Sequence, residues 1–178
     1  MKQTSEIQGW FNEYQQSVYD FLIGKTPKNG TFVEIGAWLG KSSSYLVDNG
    51  GELNIIIIDS WKGSPNERGT NHKLAMKTDI YEIFKENMGD RKYQSIRGLS
   101  VEVANEFEDE SLDTVFIDAT HTYEAVKEDI KAWYPKVKKG GILAGDDYVK
   151  SWPGVIKAVK EMLPEHDEML GRWIHYKK

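Results

Sequence analysis

The chain contains no cysteine. That excludes disulfide scaffolding, thiol nucleophiles and cysteine-rich zinc sites, and it is compatible with the cytoplasm, the location expected here. Long hydrophobic runs are missing too. The longest purely aliphatic stretch is Ile55-Ile56-Ile57-Ile58, far short of the roughly 20 residues a membrane span needs. Met1 to Gln8 is polar and the apolar positions after it are spaced, so no signal peptide is read and no membrane partner is expected. Positive charge is not in excess: 23 Lys and Arg against 28 Asp and Glu give a net charge of −5. Without a basic stripe, nucleic acid is not an expected partner. Lys136, Lys138 and Lys139 read as the solvated end of a helix, and there is no internal repeat, linker or second domain.

What is present reads as one folded unit. The 178 residues are 39% hydrophobic and 29% charged, enough for a sizeable core and typical of a folded domain. Ile7, Phe11, Tyr14, Val18 and Phe21/Leu22 step by three and four, predicting an amphipathic helix within residues 1–26, ended by Pro27, Asn29 and Gly30. Thr31 to Ile35 reads as a buried strand broken by Gly36 and Gly40, with a helix starting near Ser42. Leu53 to Ile58 is a second strand, stopping at Asp59. Neither strand shows polar alternation, which suits a parallel sheet covered on both faces.

Residues 62–73 carry Gly63, Pro65, Asn66, Gly69 and Asn71 and read as a loop long enough to bind a ligand and close over it. A helix on Met76, Ile80, Ile83, Phe84 and Asn87/Met88 follows, then a strand at Tyr93 to Arg97 and a short helix on Val101, Ala104 and Phe107. Leu112 to Ile117 is a strand. Val126, Ile130, Trp133 and Val137 mark a helix closed by Gly140-Gly141, and Ile142 to Ala144 is a strand. Val155, Ile156, Val159, Met162 and Leu163 mark the last helix, and the tail, 165–178, is expected to hold one or two short strands around Gly171. This alternation predicts a single α/β domain: a Rossmann-like, doubly wound, mostly parallel sheet with helices on both faces.

Ligands of such sheets bind beyond the carboxyl ends of the strands, and acids fall there: Glu34, Asp59, Asp118 and the pair Asp146-Asp147. Singly, each could be a turn or cap residue. The first turn, Gly36-Ala37-Trp38-Leu39-Gly40-Lys41-Ser42, leaves three ligand classes to weigh. A dinucleotide turn needs glycine where Trp38 stands. A P-loop needs one more residue, since Ile35 occupies the place of its first glycine, and Glu34 would repel a polyanion. A ligand with positive charge and no phosphate fits better. Asp59, 23 residues past Gly36, is placed to accept from two ribose hydroxyls.

The ordered set Glu34-x-Gly36-x-x-x-Gly40-x-Ser42, Asp59-Ser60-Trp61, Phe116-Ile117-Asp118-Ala119-Thr120-His121-Thr122-Tyr123, Val126-x-x-Asp129, Trp133 and Gly140-Gly141-Ile142-Leu143-Ala144-Gly145-Asp146-Asp147-Tyr148 resembles the class I S-adenosylmethionine-dependent methyltransferases. Within them it looks like the small branch holding metal-dependent O-methyltransferases of sugar and antibiotic biosynthesis. The resemblance runs from about Thr31 to Lys160, which marks 31–160 as the cofactor-binding core. It implies that Glu34, Gly36 and Gly40 hold the methionine part of S-adenosylmethionine, Asp59 the ribose and Ser60-Trp61 the adenine edge, with Ala37 and Ser42 also cofactor-binding. Gly98-Leu99-Ser100 falls where the family has an acid against the adenine amino group, so that contact passes to Ser100 or to backbone. Asp118, Asp146 and Asp147 fall where metal-dependent members bind a divalent cation, with Asp118 also beside the cofactor.

Charge repulsion supports such a cation independently. At about 4 Å and an effective dielectric near 20, each pair of carboxylates costs roughly 4 kcal/mol. Mg²⁺ or another divalent cation would remove that cost and acidify a bound hydroxyl. His121, three residues after Asp118, is the candidate general base. Trp38, Tyr148 and Trp152 could line an acceptor pocket. The function expected is methyl transfer to a hydroxyl oxygen of a small molecule or sugar, Asp118 and His121 being catalytic. Its rivals are a P-loop-like nucleotide hydrolase and a non-catalytic cofactor-binding subunit. Trp10 and Phe11 raise a possible homo-oligomer.

Overall fold

The computed structural model describes residues 1–64 and 74–178. Seven strands form one sheet: β1 Thr31–Ile35, β2 Asn54–Asp59, β3 Gln94–Arg97, β4 Leu112–Ile117, β5 Val137–Gly145, β6 Asp167–Met169 and β7 Arg172–Tyr176. Their order is β3-β2-β1-β4-β5-β7-β6. The first five are parallel, whereas β7 runs antiparallel to both β5 and β6. Strand order reverses between β1 and β4, so a crevice opens there at the carboxyl ends.

Strand periodicity sorts side chains to the two faces. Phe32, Ile55, Ile57, Phe116 and Ala144 pack with helices α1 Glu13–Lys25, α2 Lys41–Asn49 and α3 Ile80–Met88, through Tyr19, Leu22, Leu46, Phe84 and Met88. Val33, Ile35, Ile58, Val115, Ile117 and Leu143 face the short α4 Ser100–Val103, α5 Tyr123–Trp133 and α6 Pro153–Met162, through Val103, Val126, Ile130, Trp133 and Val159. Each fully buried Val, Leu, Ile or Phe contributes about 1.5–3 kcal/mol. The doubly wound domain expected from the alternation is therefore what forms, and all six residues of β4 are buried.

Three boundaries differ from expectation. The first helix begins at Glu13, because Asn12 caps it and pairs reciprocally with Gln15. Ile7 and Phe11 are buried outside it, and Tyr14 is 55% exposed. The third helix starts at Ile80 behind its Asp79 cap, leaving Met76 exposed. Gly140-Gly141 does not close a helix. It lies inside β5, where Gly140 N–H donates to Lys177 O and Lys177 N–H donates to Gly141 O. The ligand-closing loop expected at 62–73 falls mostly outside the described residues. Among the described residues no helix is long and apolar enough to cross a membrane.

Candidate active site

A cavity of about 1000 Å³ opens at the reversal point, lined by the ends of β1, β2, β4 and β5 together with the segment Gln8–Trp10 and Gln15. A second depression, about 430 Å³, lies between α5 and the C-terminal strands, beside Tyr134, Leu163 and His175, and holds no strand-end acid. The larger volume sits at the top of the range for small-molecule sites.

The floor of the cavity is the β1–α2 turn. Gly36 has φ +93°, and a Cβ there would lie 1.8 Å from the Asp118 carbonyl oxygen. Its glycine is thus required by the adjoining β4 end as well as by backbone conformation. Gly40, at φ +87°, would push a Cβ to 2.9 Å from Phe84. It serves helix packing and is not among the lining residues.

Asp59 Oδ2 accepts from the Ala37 and Trp38 amides at 2.8 and 2.9 Å, and Oδ1 accepts from the Trp61 amide at 2.7 Å. Burial raises the Asp59 pKa while those amides pull it back. Two amides that a phosphate would require are therefore already bound to a carboxylate. The Lys41 ammonium points to Gly9 O at 3.3 Å. Both facts oppose the P-loop reading.

Glu34 lies outside the cavity lining, contrary to its expected contact with the methionine part. It shares the face of Phe32, so it points toward α1 and is fully buried. Tyr19 Oη donates to Oε1 at 2.7 Å and Ser43 Oγ donates to Oε2. Burial raises the Glu34 pKa against those two hydrogen bonds. Trp61 is buried as well, stacked near Tyr81 and Phe84, with its indole N–H donating to Trp38 O. Of the expected cofactor residues, Gly36, Ala37, Ser42, Asp59, Ser60, Gly98, Leu99, Ser100 and Asp118 line the cavity.

On the opposite wall, His121 Nε2 lies 3.2 Å from Asp118 Oδ1 and 2.8 Å from Asp147 Oδ2. Ligand atoms of these three residues fall within 4.8 Å of one another. Asp147 reaches inward because it adopts φ +59°, a left-handed conformation that Asp tolerates. The Trp152 ring lies tilted against His121, their centroids 4.8 Å apart. Burial pushes the Asp118 carboxyl up to about 7; the His121 hydrogen bond opposes that shift and the charges of Asp146 and Asp147 add to it. Some 30% of its side chain still faces the cavity.

The acids that converge are not the expected three. Asp146 is drawn away by Arg172 of β7, whose Nε lies 2.7 Å from Oδ1 in a close ion pair and whose Nη2 donates to Oδ2 at 3.2 Å. Gln15 Nε2 also donates to Asp146 Oδ2, at 2.9 Å, and the Asp147 amide donates to Oδ1 at 2.6 Å. His121 occupies the third position instead. Gln15, Arg172 and Asp129 were not singled out as site residues from sequence. Asp129 alone carried a signal, a carboxylate on the buried stripe of Val126, Ile130 and Trp133.

The sheet carries an antiparallel β7 beside β5 and a cavity walled by strand-end acids. In comparison with known proteins, a family profile described as a methyltransferase domain matches residues 33–148. The chain belongs to that methyltransferase-domain family. The uncharacterized protein R132 of Acanthamoeba polyphaga mimivirus is 30% identical over 149 residues, covering 83% of this chain. The chain spans 64% of that relative's length.

Among solved structures, the O-methyltransferase NovP superposes with TM-score 0.68 at 18% identity, covering 93% of this chain and 80% of NovP. An S-adenosylhomocysteine-bound methyltransferase of Podospora anserina, PaMTH1, gives TM-score 0.64 at 17% identity, covering 95% of this chain and 80% of the other. At these identities the likeness shows the shared fold.

Proposed function

We propose that this chain transfers the methyl group of S-adenosylmethionine to a hydroxyl oxygen of a small molecule or sugar, assisted by a divalent cation. The observation that carries the reading is the convergence of Asp118, His121 and Asp147 on a cavity whose other wall is the Gly36–Asp59 turn. Two carboxylates and an imidazole suit a divalent ion, and partial exposure of both acids, 30% and 28%, leaves positions for water and substrate. Bound there, the ion would supply positive charge that acidifies the acceptor hydroxyl.

Held against the Gly36–Asp59 turn, S-adenosylmethionine would supply a sulfonium methyl for in-line transfer to the acceptor oxygen, with S-adenosylhomocysteine as the leaving group and the acidified hydroxyl's proton passing to water. The cavity walls hold the two reactants in register, an effect worth on the order of 7–11 kcal/mol in well-aligned systems. Asp59 faces the sugar hydroxyls from the floor. Trp152 and Trp38 shape the acceptor side and exclude water. His121 Nε2 cannot ligate an ion and accept a proton at once. Its distances to Asp118 and Asp147 also suit a second reading without an ion, in which Nε2–H donates to those carboxylates and orients the imidazole to act as general base through its other ring nitrogen.

A turnover assay with S-adenosylmethionine and a panel of sugars and phenols, with and without chelator, separates these readings. Acceptor-dependent release of S-adenosylhomocysteine that stops on chelation and returns with Mg²⁺ or Mn²⁺ is the expected result. Turnover indifferent to chelation but lost in His121→Ala would favour the general-base reading. No turnover on any acceptor, with the cofactor bound, would favour a non-catalytic subunit.

A further inference from the structure

The wall of the cavity beside β3 differs from the acid cluster. It is built from Leu99, Val101, Ala119 and Ala125, side chains with no polar atom, and one buried carboxylate, Asp129. Asp129 retains only 4% exposure. A buried carboxylate needs donors for both oxygens. Trp133 Nε1 donates to Ser100 Oγ at 2.9 Å, which leaves the hydroxyl hydrogen free to point onward. It goes to Asp129 Oδ1, 2.5 Å away. Among the described residues nothing donates to Oδ2.

A largely apolar slot with one buried acceptor-only group suits a flat heteroaromatic ring carrying an N–H₂ edge. The Trp133–Ser100 relay fixes which carboxylate oxygen remains available. Burial raises the Asp129 pKa to about 6, so the group is ionised at neutral pH and can only accept. Glu128, its neighbour at the cavity edge, is exposed and screened by water.

We infer that Asp129 reads the adenine ring of the methyl donor, its Oδ2 accepting a hydrogen from the exocyclic amino group. This rests on the reading of the cavity as an S-adenosylmethionine site. Asp129 is then the residue that selects an aminopurine over other bases.

The test is calorimetric titration with S-adenosylhomocysteine and with its purine analogue lacking the 6-amino group. The wild-type protein should prefer the amino compound by about tenfold or more, the range of a hydrogen bond to a charged acceptor. Asp129→Asn should bring that ratio close to one. The Ser100 hydroxyl keeps the amide oxygen on its side, so the amide N–H₂ would face the adenine amino group. Glu128→Gln should preserve the preference. Equal binding of both ligands by the wild-type protein would overturn the inference without any variant. So would a ratio unchanged in Asp129→Asn, because equal losses for both ligands there would mark a purely structural bond. Absence of S-adenosylhomocysteine binding altogether would instead remove the functional reading beneath it.

Discussion

The acids at the β1–β2 side of the cavity and those at its β4–β5 side differ in how their carboxylates are satisfied. At the β1–β2 side, Glu34, behind the cavity, holds Tyr19 and Ser43, and Asp59, on its wall, holds three backbone amides. Every oxygen there has a neutral donor, so these carboxylates are held in place without a cation. At the β4–β5 wall, Asp118 and Asp147 share one imidazole, and Asp146 is paired with the Arg172 guanidinium. Asp118 is left with a carboxyl near 7. Burial alone therefore does not mark the chemistry. The shortage of donors does, because an under-satisfied charge is what an ion or a reacting hydroxyl can satisfy.

The comparison breaks most visibly at Asp118. Asp118→Asn should lower kcat/KM by about 10³-fold or more, within the range for removal of a group that acts on the reacting centre. The fold should survive, since the residue is partly open to the cavity. At pH 8 the variant should melt above the wild-type protein. A folded-state carboxyl raised to about 7 stabilises below its unfolded value and loses that contribution as pH climbs toward 7. Differential scanning calorimetry at pH 5 and pH 8 checks the sign.

The β1–β2 side should respond in the opposite sense. Glu34→Ala removes the acceptor for two buried hydroxyls and leaves a void. The expected loss is about 3–4 kcal/mol of stability, measured by urea unfolding. Any variant that folds should keep most of its turnover.

Arg172 tests the boundary between the two sides. Arg172→Met leaves the Asp146 carboxylate buried beside Asp118 without its cation, at a cost of about 3 kcal/mol. Asp146→Asn in the same chain should recover most of that, and the double-mutant cycle reports the coupling. Strict additivity would mean the ion pair does not neutralise Asp146.

The smallest effect concerns Asp129. Its carboxyl is raised to about 6 by burial, the charge of Glu128 adding to the shift, so wild-type stability should fall as pH rises from 4 to 6. Asp129→Asn should abolish that slope, giving a difference on the order of 2 kcal/mol at pH 7.5 that closes near pH 4. Thermal melts across that range read it directly.

The fold was legible wherever a strand is buried on both faces. β4 and β2 are aliphatic runs that end in aspartate, and nothing in tertiary structure competes with that pattern. The first helix misled because Ile7 and Phe11 are buried by an irregular segment crossing α2, with the same spacing a helix would have. Gly140-Gly141 looked like a helix stop, yet pairing with the end of the chain at Lys177 carries the strand through it. The acids of the site were visible as strand ends. Their partners were not, because Arg172 reaches Asp146 only through the antiparallel insertion of β7, and Gln15 only through the docking of α1. Long-range pairing of that kind leaves no local signal.

Calorimetric titration of the intact protein with S-adenosylhomocysteine, with ATP and NADH as controls, tests the central claim most directly. One-to-one, micromolar binding of S-adenosylhomocysteine alone is the predicted result. Heat from ATP with none from S-adenosylhomocysteine would contradict it, and would mean that the Gly36–Ser42 turn cradles phosphate despite Asp59.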